Sequence, residues 1–510
     1  MITKKHLPIV YFLLGFGIFM FTRLSNLVPF INIAILIAPI FILRFIRTQP
    51  RKKGVWLTLL GFILSMNIAL WGLFNFDEQW MTIVFGGIRS TLLAIIWFLP
   101  FMMDRLIYPR YKNKGIISTL IFPIVTTAMF YITSLEGPFD DGGGTLSSFS
   151  YDYHSLAFNQ VRSLFGVWIL VFIHSWLYAM VNFLWENEFN WKAIRIPSLV
   201  FAMVFVAVFI YGGVKISDNA EKETVKIAAI VLVPEDGEII PMSRIFDTRT
   251  TSPFEETISK IEMLTNKAVG QGAKIVSFQE FAMVIEYKEE DRLKTEYQRI
   301  AMESNAFLSI TYAYFGDNEK GENKHLFING KGEILLDYTK RYLLGIGDFG
   351  ETAVFRKGAE IIQSAETPYG TIGITICKDM GYPSFIRQAG KQGVDIMLNP
   401  SYDWPRSSTP WYLTGAIENG FSFVRPSYNG YSYASDYNGK LIAHMNFNET
   451  KDGIMYADVP TKGVKVLYPR IGDLLGWTSL IAMFLLIGLI IFTERNLAKT
   501  LEPTAQNKNK

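Results

Sequence analysis

Gly373–Ile374–Thr375–Ile376–Cys377–Lys378–Asp379 runs an apolar, β-branched strand pattern straight into the only thiol of the chain, and Gly381–Tyr382–Pro383 turns the backbone just beyond it. Two earlier stretches end in the same manner. Ile275–Val276–Ser277–Phe278–Gln279–Glu280 ends on a carboxylate, and Asp337–Tyr338–Thr339–Lys340 ends on an amine. Strand ends are where α/β folds place reactive groups, because the sheet fixes the position while the loop shapes the surroundings. Further strand-like runs recur at Val225–Val233, Phe307–Tyr314, Lys324–Asn329, Val394–Asn399, Phe421–Pro426 and Gly453–Val459. Helical patterns fall at Phe254–Gly270, Asp291–Ser304, Pro383–Gly390 and Trp411–Asn419. This alternation predicts an α/β sandwich whose helices cover the outer faces of its sheets.

Outside that stretch the composition changes. Over 510 residues the chain is 50% hydrophobic, 15% aromatic and only 19% charged, where soluble domains average about 25% charged. The apolar residues cluster into candidate spans of a membrane at Pro8–Thr22, Leu27–Leu43, Gly54–Phe76, Trp80–Met103, Gly115–Leu135, Leu164–Trp185, Pro197–Val214 and Leu474–Phe492. The first two are short, and a re-entrant pair is the alternative for them. Lysine and arginine crowd every second connection, from Arg44, Arg47, Arg51, Lys52 and Lys53 to Arg105, Arg110, Lys112 and Lys114. The alternate connections hold only Arg23 and Arg162. This asymmetry puts both termini in the cytoplasm and the stretch after Val214 outside it. The expected organisation is a membrane domain of about seven helices over residues 1–216, an extracytoplasmic domain over 217–472, and a closing helix with a cytoplasmic tail over 473–510.

One cysteine excludes intrachain disulfides, cysteine-ligated zinc and iron–sulfur clusters. A net charge of +3 is too small to point to nucleic acid as a partner. His325 and His444 raise a Cys–His–Asp protease as another chemistry for the thiol, without a supporting motif.

The order Glu280, Lys340, Cys377 resembles the triad of the nitrilase, or carbon–nitrogen hydrolase, superfamily. Tyr338–Thr339–Lys340–Arg341–Tyr342–Leu343 is similar to that family's Y-x-K-x-H-L segment, with Tyr342 in the place of the histidine. Leu398–Asn399–Pro400–Ser401, Ala416–Ile417–Glu418–Asn419, Val424–Arg425, Asn429–Gly430 and Ser432 fit its later signatures. The similarity covers roughly Val225 to Val459. Together with the spans it resembles the apolipoprotein N-acyltransferase family. Four departures stand out: Gly345 for a proline, Phe278–Gln279 for an aromatic–proline pair, Lys378 for a tyrosine, and Gly415 for an arginine.

The resemblance implies an αββα sandwich and acyl transfer through a cysteine thioester. Glu280 is then the general base, Lys340 the cation, Cys377 the nucleophile, and the Lys378 backbone N–H a second oxyanion donor. Asp348 falls where the family has an assisting glutamate, with Asp348 and Glu351 both open to a turn-capping reading, and Asp379 matches an acidic residue two after the cysteine. Glu418 falls on a position the family uses in its site, and a structural ion pair with Arg425 is its other reading. Arg162 is placed to meet a lipid phosphate or to snorkel at the interface. The implied partners are a phospholipid donor, a lipoprotein acceptor and membrane lipid, with no metal or organic cofactor, in a monomer of the bacterial cell membrane. The alternative is a membrane-anchored amidase of nitrilase type.

Overall fold

The computed structural model describes residues 6–23, 25, 27–72, 79–136, 155–217, 222–234, 245–246, 248–316, 319–345, 350–403, 413–450 and 453–506. The first segment is helical: α1 (Leu7–Phe19), α2 (Ala34–Thr48), α3 (Arg51–Ala69), α4 (Gln79–Tyr111), α5 (Ile116–Ser134), the single turns α6 (Leu156–Asn159) and α7 (Arg162–Phe165), α8 (Val167–Glu186) and α9 (Trp191–Ile216). Among the described residues, five helices are long and apolar enough to cross a membrane: Gly86–Tyr111, Ile116–Ser134, Val167–Glu186, Trp191–Ile216 and Leu474–Glu494. At about 1.5 Å per residue, α1 and α2 rise only about 20 and 22 Å, less than the roughly 30 Å of a hydrocarbon core. The apolar run that begins at Leu27 becomes helical only from Ala34, because Pro29 and Asn32 favour a turn ahead of it.

An aromatic seam holds these helices together. Phe19 meets Phe62 and Trp97 edge-on, each at 5.2 Å between ring centroids, and Trp97 meets Phe130 at 5.1 Å. Edge-to-face contacts of this kind add to the burial of the rings themselves. At one end of the bundle Arg47 holds buried Asp104 with two 2.8 Å bonds, and Glu186 lies near Arg44 and Arg47, so charge pairing ties α2, α4 and α8. Breaking a buried pair of this kind typically costs about 3–5 kcal/mol, since the survivor is left unpaired.

The second segment is an αββα sandwich. One sheet has the order β15–β1–β2–β4–β5–β6, with β3 added on β4. Its strands are β1 (Thr224–Ile230), β2 (Ile275–Phe278), β3 (Met283–Glu286), β4 (Phe307–Phe315), β5 (Glu322–Ile328), β6 (Ile334–Thr339) and β15 (Ile454–Pro460). The facing sheet has the order β14–β13–β11–β9–β8–β7, from β7 (Gln363–Thr367), β8 (Gly370–Ile374), β9 (Ile396–Leu398), β11 (Ser422–Arg425), β13 (Tyr431–Ser435) and β14 (Leu441–Asn446). A short pair, β10 (Ser401–Tyr402) with β12 (Ser427–Tyr428), interleaves in sequence with β9, β11 and β13.

Strand alternation builds two layers of core from one strand. Val225, Ile227 and Ala229 of β1 pack on Ile374, Ile396 and Phe423 of the facing sheet. Ala228 and Ile230 point the other way, onto Ile258, Ile261 and Leu264 of α10 (Phe254–Gly270) and Leu293 and Tyr297 of α11 (Glu290–Ser304). The remaining helices are α12 (Glu351–Val354), α13 (Pro383–Gln392), α14 (Leu413–Asn419), α15 (Tyr468–Ile471) and α16 (Leu474–Gln506).

The sandwich sits on the end of the bundle opposite the Arg47–Asp104 pair. Three polar contacts fix the junction. Glu136, two residues past α5, accepts from Arg341 at 2.8 Å and Lys357 at 2.9 Å. Arg162 of α7 donates to Glu418 of α14 at 2.7 Å, with both side chains buried. Asp473, just ahead of α16, accepts from Trp168 of α8, Tyr468 of α15 and Arg387 of α13 at 2.9, 2.6 and 2.8 Å. Gly166 separates α7 from α8 at φ +67°, and a Cβ there would stand 2.4 Å from the Tyr468 ring. Only glycine satisfies both the backbone angle and that approach.

Candidate active site

Glu280, Lys340 and Cys377 come together where β2, β6 and β8 run out. Glu280 is two residues past β2 and buried; its Oε1 accepts from Lys340 Nζ at 2.7 Å and from Asn323 Nδ2 at 2.8 Å. Its Oε2 accepts the backbone N–H of Tyr402 at 2.8 Å. Lys340 follows β6 directly, and its ammonium also bonds both oxygens of Glu351 at 2.8 Å. One lysine therefore lies between two buried carboxylates. Burial pulls the Lys340 ammonium down, but Glu280 and Glu351 hold it well above the usual lysine range. Burial pushes Glu280 above the usual carboxylate range; Lys340 opposes this and Glu351 reinforces it. A raised carboxyl beside a fixed cation can both take and return a proton near neutrality.

Strand β8 ends at Ile374, three residues short of the thiol. Cys377 opens a 3₁₀ turn, Cys377–Gly381, with φ +44°, a left-handed backbone rare for a side chain that is not glycine. The turn is held on two sides. The Cys377 N–H donates to the Pro400 carbonyl at 2.8 Å, and Sγ lies 3.9 Å from the Tyr402 carbonyl. Asp379 is fully buried and accepts from Ile376 N at 3.0 Å, Tyr338 Oη at 2.7 Å and Tyr342 N at 2.8 Å. It thus ties the Cys377 turn to the strand and loop that carry Lys340. Burial, then the charge of Glu280, pushes the Cys377 thiol up to about 12, against the pull of Lys340. A thiol so placed needs a base at hand to react at neutral pH.

Burial raises Asp379 to about 6 against the hydrogen bonds it accepts. Its folded value is above the roughly 4 of a free aspartate, so this group favours the folded state most at acid pH and less as pH rises through 6. Asp379→Asn puts an amide donor against one of the three donors it now accepts from. The expected result is a lower melting temperature, a loss of about 1–3 kcal/mol, and on the order of a hundredfold slower reaction of the displaced thiol with an electrophile. Thermal unfolding and alkylation of Cys377 by iodoacetamide measure the two effects.

Lys378 donates from its side chain to the Leu343 carbonyl at 3.2 Å and lies over the Tyr382 ring, which stacks on Tyr342 at 3.5 Å. Tyr342 thereby fills the histidine position with a flat apolar contact. Gly415 leaves room for Met380, whose Cε would be 2.7 Å from a Cβ there. Asp348 lies outside the described residues. The second carboxylate at Lys340, that of Glu351, is carried by the first turn of α12 and is also bonded to the Leu344 N–H at 2.6 Å.

Arg162 is buried, and its guanidinium is held by Glu418. Glu418 is accordingly a junction residue paired with Arg162 and not with Arg425. Arg425 is buried against Asp403, with Asn399 and Ser401 as further partners, and so fixes the β10 segment whose Tyr402 N–H caps Glu280. His325 bonds Ser309 at 2.7 Å and the Thr375 carbonyl at 3.1 Å, bridging the two sheets. Burial lowers it to about 3, so it stays neutral. His444 is an exposed edge-strand residue stacked on Tyr431. Neither histidine touches the thiol. Asn323 and the Tyr402 N–H were invisible in the sequence, one an ordinary strand amide and the other a backbone group.

Residues 241–467 match the family model described as carbon–nitrogen hydrolase. Over that stretch the chain is similar to the nitrilase, or carbon–nitrogen hydrolase, superfamily. Within it, the chain is similar to apolipoprotein N-acyltransferase 2 of Treponema denticola, 23% identical over 391 residues, covering 67% of this chain and 71% of the relative. It is also similar to the apolipoprotein N-acyltransferase of Rickettsia prowazekii, 22% identical over 358 residues, covering 65% of this chain and 69% of the relative. Matches of that extent reach beyond the hydrolase stretch into the helices. Deaminated glutathione amidase of Mus musculus is 28% identical over 116 residues, but the chain spans only 36% of its length. An amidase from Nesterenkonia sp. is a similar solved structure, with 16% identity and a TM-score of 0.39 over 48% of this chain and 93% of that one.

Proposed function

We propose that the protein is a membrane N-acyltransferase that moves a fatty acyl chain from a phospholipid, through a thioester on Cys377, to the N-terminal amine of a lipidated lipoprotein cysteine. The observation that carries this reading is the place of the site against the helices. Arg341, next to Lys340, is bonded to Glu136 at the end of α5. The helix that follows the nucleophile turn, α13, is bonded through Arg387 to Asp473 at the start of α16. An ester at a membrane surface is the substrate such a position serves. In this reading residues 1–216 and 473–510 lie in the bacterial cell membrane, 217–472 stand outside the cytoplasm, and the arginine-rich end of the bundle faces inward.

The chemistry follows from the groups in place. Glu280 takes the Sγ proton as sulfur attacks the ester carbonyl carbon. The oxyanion develops beside the Lys340 ammonium and the backbone of the Cys377–Gly381 turn, where a fixed donor is commonly worth a few kcal/mol. Collapse breaks the ester C–O bond, and Glu280 returns the proton to the leaving lysophospholipid oxygen. The incoming amine then attacks the thioester, gives its proton to Glu280, and Sγ departs and recovers it. Glu351 and Asn323 hold Lys340 and Glu280 in register throughout.

Purified full-length protein incubated with phospholipid should gain the mass of one acyl chain on Cys377, and lose it on addition of a diacylated lipopeptide as that peptide gains an amide. Cys377→Ala should show neither change. An acyl mass on the peptide produced by Cys377→Ala sinks the reading, and release of free fatty acid or ammonia without transfer assigns the site to a hydrolytic amidase instead.

A further inference from the structure

At the end of the bundle away from Cys377, a cleft of about 490 Å³ lies between the last turns of α4, the far half of α16 and the first residue of α3. Its volume is in the range of sites that hold a small ligand, roughly 300–1,000 Å³. Arg51, Arg105 and Arg110 line it with Glu494 as the one carboxylate, while Leu106, Ile487 and Ile491 supply apolar walls. Glu494 is taken up by Arg110. Arg105 donates one bond, to the Gln49 carbonyl at 3.1 Å, and its Nε is buried with no hydrogen-bond partner. Arg51 has no ion-pair partner among the described residues. It is also the first residue of α3, a helix with no side-chain cap and no acidic residue in its first turn, and such an N-terminus favours an anion. The cleft is therefore cationic at its rim and apolar along its wall. Phe484 and Leu485 continue the apolar surface along α16, 59% and 63% exposed.

We propose that this cleft binds one anionic phospholipid, with the phosphate among Arg51, Arg105 and Arg110 and an acyl chain along α16. The charge surplus selects an anionic headgroup, and the apolar wall selects an amphiphile over a free anion. The site is separate from Cys377, so its lipid is a bound partner and not the acyl donor. The inference rests on reading α4 and α16 as membrane-spanning.

Delipidated full-length protein, titrated in detergent with phosphatidylglycerol, phosphatidylcholine or inorganic phosphate under native mass spectrometry, tests it. One phosphatidylglycerol should bind at least about tenfold more tightly than phosphatidylcholine. Arg51→Ala with Arg110→Ala should weaken it roughly 25-fold, at about fivefold per basic residue removed. Arg51→Lys with Arg110→Lys should largely retain it, and Glu494→Gln should tighten it, which keeps the test open if the alanine pair fails to fold. Cys377→Ala should bind this lipid as the wild type does, so failure of acyl transfer and failure of this site are read separately. Equal binding of the two lipids, or no loss in the alanine pair, overturns the proposal. Displacement of the lipid by millimolar phosphate overturns it as well, marking a free-anion site.

Discussion

Lys340→Met should destabilise the fold by about 3–5 kcal/mol at neutral pH, the usual cost of removing one partner from a buried ionic group. The reason is local. Lys340 is the cation bonded to Glu280 and Glu351, and all three side chains are essentially sealed from water. Without it two buried carboxylates face each other across the Asn323 amide, which donates to both at 2.8 and 3.0 Å. The remaining route to relief is protonation, and Glu280, already raised by burial, loses the cation that opposes this rise. A group with a raised folded value gives its stability below the unfolded value and loses it as pH rises. The defect should therefore shrink on acidification toward pH 5 and grow toward pH 8. Adding Glu351→Gln to Lys340→Met removes one of the two stranded charges, and the double variant should melt above the single one. That sign of non-additivity distinguishes charge stranding from simple loss of packing. Thermal unfolding across pH 5–8 measures both effects.

The sandwich was legible because strand alternation writes both faces of a sheet into one run of residues, as in Val225–Ile230. The three groups gathered at the candidate site, Glu280, Lys340 and Cys377, stood out for a related reason: each closes such a run, so burial and a polar terminus occur together in the sequence. What was not legible depends on contacts between distant segments. Glu351 is bonded to Lys340. Gly350 at φ +68° and the Glu351 N–H bond to the Leu344 carbonyl deliver it there. No local pattern reports that contact. Arg162 and Glu418 stand 256 positions apart, and either alone reads as an ordinary charge. Arg425 beside Asp403, with the Tyr402 N–H they position, is likewise a product of the packed β10–β12 pair. Among the helices, composition locates apolar runs but not where each one starts. Pro29 and Asn32 decide that for α2, and Gly166 decides it for α8.

Glu280→Gln should lower the rate of acyl-enzyme formation at neutral pH by about 10²–10⁴-fold, the usual worth of a positioned general base, and cost about 1–3 kcal/mol of stability. Glutamine keeps the shape but only one acceptor, so its amide N–H₂ faces either the Tyr402 N–H or the Lys340 and Asn323 donors, and it cannot take the thiol proton. The informative observable is the pH profile. In the wild type the rate should climb as Glu280 ionises and then flatten, because above that point the base is always ready while the thiol, held up to about 12, stays protonated until called on. In the variant only bulk solvent can remove the proton, so the rate should rise about tenfold per pH unit through the neutral and alkaline range. Loss of the Glu280 charge also removes one of the causes that raise the thiol, so the variant's thiolate should appear at lower pH than in the wild type. Alkylation of Cys377 by iodoacetamide across pH reports the thiolate directly, and single-turnover acylation reports the base. A variant with a flat profile and near-wild-type rate would mean that Glu280 only holds Lys340, and Glu351 would then be the carboxylate left to act as the base.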